Sequence, residues 1–191
     1  MMIKNAFKHF KTITTHKFYV FQACWKAGIV WQGITHDLSK YSPTEFFNNI
    51  KYYKDGVSPI DVAKKETGYS MAWLHHRGRN PHHYEYWIDY LDDGGKPIPM
   101  PYKYALEMVC DYIGAGKAYT KEKWTINTPL DYWVKVKRPV AKIHPATVMF
   151  MDYIFEDISK TGLDALYKQN TLALYHKAMA EYMYTTNTKE D

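Results

Sequence analysis

Four times in this chain a small polar residue is followed at once by proline, and that repeated pair restricts the fold more than any other feature. Proline is tolerated in the first turn of a helix, where its missing N–H has no partner to lose, and it breaks a helix or central strand elsewhere. Ser42-Pro43-Thr44-Glu45 has the form of a capping box, Ser58-Pro59-Ile60-Asp61 and Thr128-Pro129-Leu130-Asp131 are close variants, and Asn80-Pro81 marks a further start. Between these starts apolar residues recur at helical spacing: Phe46, Phe47, Ile50 and Tyr53; Ala105, Met108, Val109 and Tyr112; Leu130, Trp133 and Val134. Strand-type alternation is absent. The expectation is an all-α fold, a compact single-domain helical bundle of about eight helices over residues 1–191.

The first third reads as a helix from about Thr15 to Lys26, a glycine stop at Gly28 and a second helix from about Ile29 to Lys40. Leu91 to Pro101, with two glycines and three prolines, is a loop. Pro145 to Asp157 and Leu163 to about Tyr184 read as packing helices, Gly162 as a helix boundary, and the last residues, TTNTKED, as a frayed tail. The motif-bearing core spans about 10–120 and the C-terminal packing helices about 129–186.

A hydrophobic fraction of 46% and an aromatic fraction of 17% exclude a disordered chain. No run approaches the roughly 18 consecutive apolar residues of a membrane span, and the N-terminus lacks a signal-peptide block, so a cytoplasmic protein without membrane contact is expected. Cys24 and Cys110 sit in apolar surroundings and read as buried thiols. The net charge of +5 is scattered, a weak pointer to an anionic ligand; nucleic-acid binding is not expected from it. Nothing in the sequence identifies an oligomeric interface.

Seven of nine histidines precede residue 84: His9, His16, His36, the pairs His75-His76 and His82-His83. Imidazole and carboxylate are the donors a divalent transition ion takes from a protein. On a helix through 29–40, Ile29, Gly33, His36, Asp37 and Lys40 share a face, and the glycine there invites a close approach. On the preceding helix His16 lines up with Val20, Ala23, Cys24 and Ala27, an otherwise small apolar stripe that should face inward. His9, His144 and His176 are read as structural or surface residues. Adjacent helical side chains diverge by about 100°, so one member of each pair should face a site, with His76 and His82 favoured.

The order of a helical histidine, a His-Asp pair with lysine three residues on, further histidines and a late helical aspartate resembles the HD-domain metal-dependent phosphohydrolases. The segments HDLSKYSPTEF, NPHHYEYW and CDYIGAG, with His16, are more closely similar to an uncharacterised family of bacterial and phage proteins known only as a domain of unknown function. The HD resemblance implies His16, His36, Asp37 and Asp111 as metal ligands, with Asp37 bridging if two ions bind and His76, His82 and His83 as candidates for the second site. It departs from the usual pattern in the short interval from His16 to His36 and in the bunching of the later histidines.

The cofactor so implied is one or two divalent ions of the Mn, Fe, Co, Zn or Mg type. Such a site acidifies water and polarises a phosphoryl oxygen. Asp37 and Lys40 are then the catalytic candidates, with Lys40, Arg77, Arg79 and His83 as phosphate contacts; His82 and His83, following Pro81, also lie where helical N–H groups favour an anion. Glu45, Glu85 and Glu107 are candidate partners for unbound imidazole nitrogens. The leading expectation is a phosphohydrolase acting on a nucleotide or other small phosphoester. The alternatives are an HD-type di-iron oxygenase and a non-catalytic nucleotide- or partner-binding protein.

Overall fold

The computed structural model describes residues 2–90 and 94–188. Nine α-helices are present among them: α1 (Met2–Lys26), α2 (Val30–Thr35), α3 (Pro43–Lys51), α4 (Pro59–Thr67), α5 (Met71–Arg77), α6 (Tyr102–Thr120), α7 (Thr128–Tyr132), α8 (Pro145–Thr161) and α9 (Lys168–Asn187). Leu91, Asp92 and Asp93 of the expected loop, and Lys189 to Asp191 of the expected tail, lie outside the described residues. Thr185 to Asn187 of that tail are helical.

Ser42 caps α3 through a bond from the Glu45 N–H at 3.4 Å, with Pro43 in the first turn. Ser58 stands at the cap of α4 without a side-chain bond, and α7 starts one residue early, with Asn127 at its cap and Pro129 in the second position. Asn80-Pro81 does not start an α-helix. Residues 81–83 form a turn and Tyr84–Trp87 a single 3-10 turn. The Asn80 side chain is spent elsewhere, donating to Ser39 Oγ at 2.8 Å and to the His76 carbonyl at 2.7 Å. Within the expected loop, β2 (Lys96–Pro97) pairs antiparallel with β1 (Ile88–Asp89).

The second helix also departs from the expected Ile29 to Lys40. It ends at Thr35; His36 is extended (φ −51°, ψ 126°), Asp37 is left-handed (φ 56°, ψ 23°), and Leu38–Tyr41 resume as a 3-10 turn. Aspartate is among the few side chains that enter this region at modest cost. The first helix is longer than expected, because nothing between Met2 and Lys26 breaks it; Gly28 (φ 73°) provides the stop.

The scaffold's main axis is the packing of α1 on α6. The stripe of α1 with His16, Val20, Ala23 and Cys24 is buried, and Val20 meets α6 at Gly114, where an added Cβ would lie 2.4 Å from Val20 Cγ2. Gly33 plays the same part for α2 against α1: a Cβ there would lie 2.8 Å from the Cβ of Cys24. Leu106, Val109, Cys110 and Ile113 of α6 continue the core into Phe150, Ile154 and Phe155 of α8, and α9 closes the far side. Both cysteines are buried and free. Among the described residues no helix is long and apolar enough to cross a membrane.

Candidate metal centre

Five segments deliver side chains to one buried point: α1, the break after α2, the end of α5, the turn at 81–83, and α6. His16 Nε2 lies 3.1 Å from Asp111 Oδ1, 3.3 Å from Asp37 Oδ2 and 3.3 Å from His36 Nε2. His36 Nε2 lies 3.2 Å from Asp37 Oδ2 and 3.5 Å from Asp111 Oδ1. The opposite oxygen of the same aspartate, Asp37 Oδ1, faces His76 Nε2 at 3.2 Å and His82 Nε2 at 3.4 Å, and His83 completes that second group.

These separations test whether an ion fits. A ligand bond of about 2.1 Å sets neighbouring donor atoms about 3.0 Å apart in an octahedral shell and about 3.4 Å apart in a tetrahedral one. Six of the seven contacts, at 3.1–3.4 Å, fall in that range, and the seventh, at 3.5 Å, lies at its edge. Asp37 Oδ1, His82 Nε2 and His83 Nε2 are buried without a hydrogen-bond partner within the protein. Buried polar atoms are seldom left so. Imidazole and carboxylate donors, converging and otherwise unsatisfied, match a divalent cation.

The outward nitrogens are fixed by carboxylates. Glu107 Oε1 accepts from His36 Nδ1 at 3.0 Å and from His82 Nδ1 at 3.1 Å, so one carboxylate orients a histidine of each group. Glu45 accepts from His76 Nδ1 at 2.8 Å and from His75 Nδ1 at 2.7 Å. A proton held on Nδ1 leaves the Nε2 lone pair directed at the centre. Burial would raise the Glu107 pKa, but its two histidines hold it below the usual carboxylate value. Burial likewise works against ionised Asp37 and Asp111, yet their imidazole and, for Asp37, Lys40 neighbours keep both well below the ordinary range. Burial, reinforced by neighbouring imidazoles, lowers the pKa of His82 and His83, favouring the neutral form that donates to metals.

All six sequence-assigned ligands, His16, His36, Asp37, His76, His82 and Asp111, thus meet here, though the helical stripe proposed for His36, Asp37 and Lys40 does not exist. On a continuous helix His36 and Asp37 would diverge; the left-handed Asp37 turns both inward. Lys40 still reaches the centre, with Nζ 2.5 Å from Asp37 Oδ2, an ion pair that raises its pKa against the effect of burial. His75 faces away from the centre, but His82 and His83 both join it, because an irregular turn carries them; the anion site proposed at a helix start after Pro81 therefore has no helix.

Arg77 and Arg79 do not join. The cleft in front of the centre, about 160 Å³, is lined by His16, Lys40, His76, His83, Asp111 and apolar or hydroxyl side chains, whereas Arg79 is exposed and turned back on the His75 carbonyl. Glu85 makes no bond to a site histidine; its Oε2 is buried without a partner. Ser39 and Asn80, which flank His76 Nδ1 at 3.1 Å each, are not among the candidates the sequence offers, whereas Glu107 is one of them. Glu107 lies four residues before Asp111, on the same face of α6, and that spacing was a usable signal.

Residues 5–157 match the model of a family of unknown function, DUF5662, and the chain belongs to that family. No curated protein and no solved structure matches the chain.

Proposed function

We propose that this DUF5662 protein is a metal-dependent phosphohydrolase of the HD type, acting on a nucleotide or another small phosphoester. The observation that carries the reading is the division of Asp37: one oxygen belongs to the His16–His36–Asp111 group and the other to the His76–His82–His83 group, the disposition of a carboxylate shared by two ions. Divalent ions held by His16, His36, Asp37 and Asp111 and by Asp37, His76, His82 and His83 would supply an acidified water and charge neutralisation at phosphorus.

The chain's own residues account for the rest. Asp37, Asp111 and the imidazoles hold the frame, and Glu107 and Glu45 bond Nδ1 of His36, His82 and His76, which turns each Nε2 toward the centre. Lys40 Nζ stands on the cleft wall beside Asp37, placed to neutralise a phosphate oxygen entering from the cleft. Trp73 and Ile60 give the same opening an apolar wall. The reaction joins a water oxygen to phosphorus as the ester P–O bond breaks; the leaving oxygen takes up a proton, giving an alcohol and phosphate.

The test is phosphate release from a panel of nucleotides and generic phosphoesters by protein loaded with Mn, Fe, Co, Zn or Mg, alongside metal analysis. Turnover by wild type and its loss in Asp37→Ala are expected. No phosphate release with any of these ions would end the reading, and two irons with a visible absorption band would move it to an oxygenase.

A further inference from the structure

Beside the metal cleft runs a second, larger groove of about 820 Å³ between α1, the segment around Tyr53 and the C-terminal end of α6. Thr12 lines both, so the two spaces are neighbours across one residue of α1. Its walls carry Lys11, Lys117 and Lys121 together with Tyr19, Tyr53 and Trp124. Lys117 Nζ lies 4.9 Å from the centroid of Trp124 and 5.8 Å from that of Tyr19. Lys8 also lines the groove but is neutralised by Asp55; Glu122 is the other carboxylate on its wall.

Lys121 adopts φ 51° and ψ −121°, a backbone state that glycine takes freely and a lysine does not. The fold thus retains a strained residue whose side chain is a cation on the rim of the groove. Lys11 lies five residues before His16, and Lys117 six after Asp111, about 8 and 9 Å of backbone rise from the nearest ligands. Neither lysine lines the metal cleft, and Lys117 Nζ is turned to Trp124 and Tyr19. Cations interleaved with aromatic rings are the means by which proteins hold a base and a backbone phosphate together.

We propose that this groove binds the leaving-group part of the substrate, a nucleotide unit bearing a second phosphate, with its base against Tyr19 and Trp124 and its distal phosphate at Lys117 and Lys121. The reaction assigned to that substrate rests on the phosphohydrolase reading; the binding does not. A nucleoside bisphosphate and the end of a single-stranded oligonucleotide share this chemistry.

The experiment is equilibrium binding to the full chain, read by tryptophan fluorescence, of adenosine 5′-monophosphate, adenosine 3′,5′-bisphosphate and a 5′-phosphorylated hexathymidylate. At least one of the two probes that carry a further phosphate should bind about tenfold or more tightly than the monophosphate, and the advantage should shrink with salt. Whichever probe binds more tightly identifies the source. Lys121→Gly should abolish the advantage while raising the melting temperature, since it removes strain with the charge; a merely structural lysine would not give that pair of signs. Equal affinity for all three probes, or an advantage that survives in both Lys121→Gly and Lys117→Ala, overturns the proposal. A groove preference without hydrolysis of any phosphoester would leave this proposal standing and remove the phosphohydrolase, and hydrolysis without a preference would do the reverse.

A different observation carries a second inference. The outer face of α1 exposes Ile3, Phe7, Phe18 and Trp25, and α2 adds Trp31 and Ile34 beside them. Phe7 is 79% exposed and Trp31 69%. Six such side chains along α1 and α2 together offer roughly 800 Å² per copy, the area of a standard dimer interface. Residues 2–36 hold five lysines and no carboxylate; Lys8 is paired with Asp55, Lys26 with Asp164, and Lys17 is turned to the carbonyls of Ile34 and His36, which leaves Lys4 and Lys11 set against six apolar side chains. The face is therefore apolar more than cationic, which fits a second copy of this chain better than an anionic bilayer.

We infer that two copies associate through this face. Sedimentation equilibrium of the full chain at micromolar concentration should give a dimer, and Trp31→Ser or Phe7→Lys, both at exposed positions with little packing to lose, should give a monomer of unchanged helical content. A wild-type monomer at high concentration overturns the inference, as does a monomer that sediments with phosphatidylserine vesicles.

Discussion

At Asp37 two requirements meet in one residue: a left-handed backbone, which turns the side chain inward, and a carboxylate whose two oxygens face different histidine groups. Asp37→Ala should therefore empty the centre and reduce phosphoester turnover to background while circular dichroism stays helical; an alanine variant with wild-type metal content would sink the assignment. Glu107→Gln keeps the shape but weakens the acceptor for His36 and His82, and losses of 10- to 100-fold in metal affinity are usual for such partners. Lys40→Ala should raise KM or slow turnover with metal content retained. His9 gives a prediction away from the ligands. It is 3% exposed, both ring nitrogens lack partners, and burial, helped by the charge of Lys40, lowers its pKa to about 4. A depressed histidine contributes stability that is complete above the unfolded value near 6.5 and is lost as pH falls toward 4, because the unfolded chain binds the extra proton. The loss amounts to about 3 kcal/mol. Metal-free wild type should thus lose more stability to denaturant between pH 7 and pH 4.5 than metal-free His9→Leu, and parallel profiles for the two would remove His9 as the cause.

Among the elements, the crossing of α1 and α6 fixes the distance between His16 and Asp111, and it depends on Gly114. A Cβ there would sit 2.8 Å from the backbone nitrogen of Val20, an atom that cannot rotate away, so Gly114→Ala must push the helices apart. Destabilisation of roughly 1–3 kcal/mol is expected, together with weaker metal binding because the 3.1 Å contact opens; unchanged denaturation and metal affinity would show that the crossing is not set there. Much at this scale was legible in the sequence. The cap-proline pairs mark α3, α4 and α7 to within a residue, and the small-residue stripe of α1 identifies its buried face. The failures have local causes. Asn80-Pro81 carries a start signal, but Asn80 bonds to Ser39 and the His76 carbonyl, contacts made only after α5 docks. His36-Asp37 sits in a sequence with no breaker, and the chain leaves the helix where both side chains are buried at the centre. The ligand types could be read from composition and order; their division between the two oxygens of Asp37 could not, since it depends on that backbone turn.

Across the whole molecule, the candidate ligands fall between His16 and Asp111, whereas α7, α8 and α9 contribute core and no ligand. The centre therefore joins α1, the α2 break, α5, the 81–83 turn and α6, pieces that otherwise meet through separate contacts. In the metal-free chain three carboxylates and five imidazoles crowd one buried region, and Lys40 partly neutralises Asp37. An ion that binds the folded chain and not the unfolded one adds stability that grows with its free concentration, about 2.7 kcal/mol at one hundred times its dissociation constant. For a chain of this size that corresponds to a rise of roughly 5–10 °C in melting temperature. Loaded wild type should accordingly melt well above chelator-treated protein and carry two ions per chain. The two groups separate by mutation: His76 serves only the Oδ1 side, so His76→Ala should keep one ion and part of the rise, while Asp37→Ala should keep neither. Equal melting temperatures for chelated and loaded wild type, at ion concentrations up to the millimolar range, would mean that these side chains do not bind a metal at all.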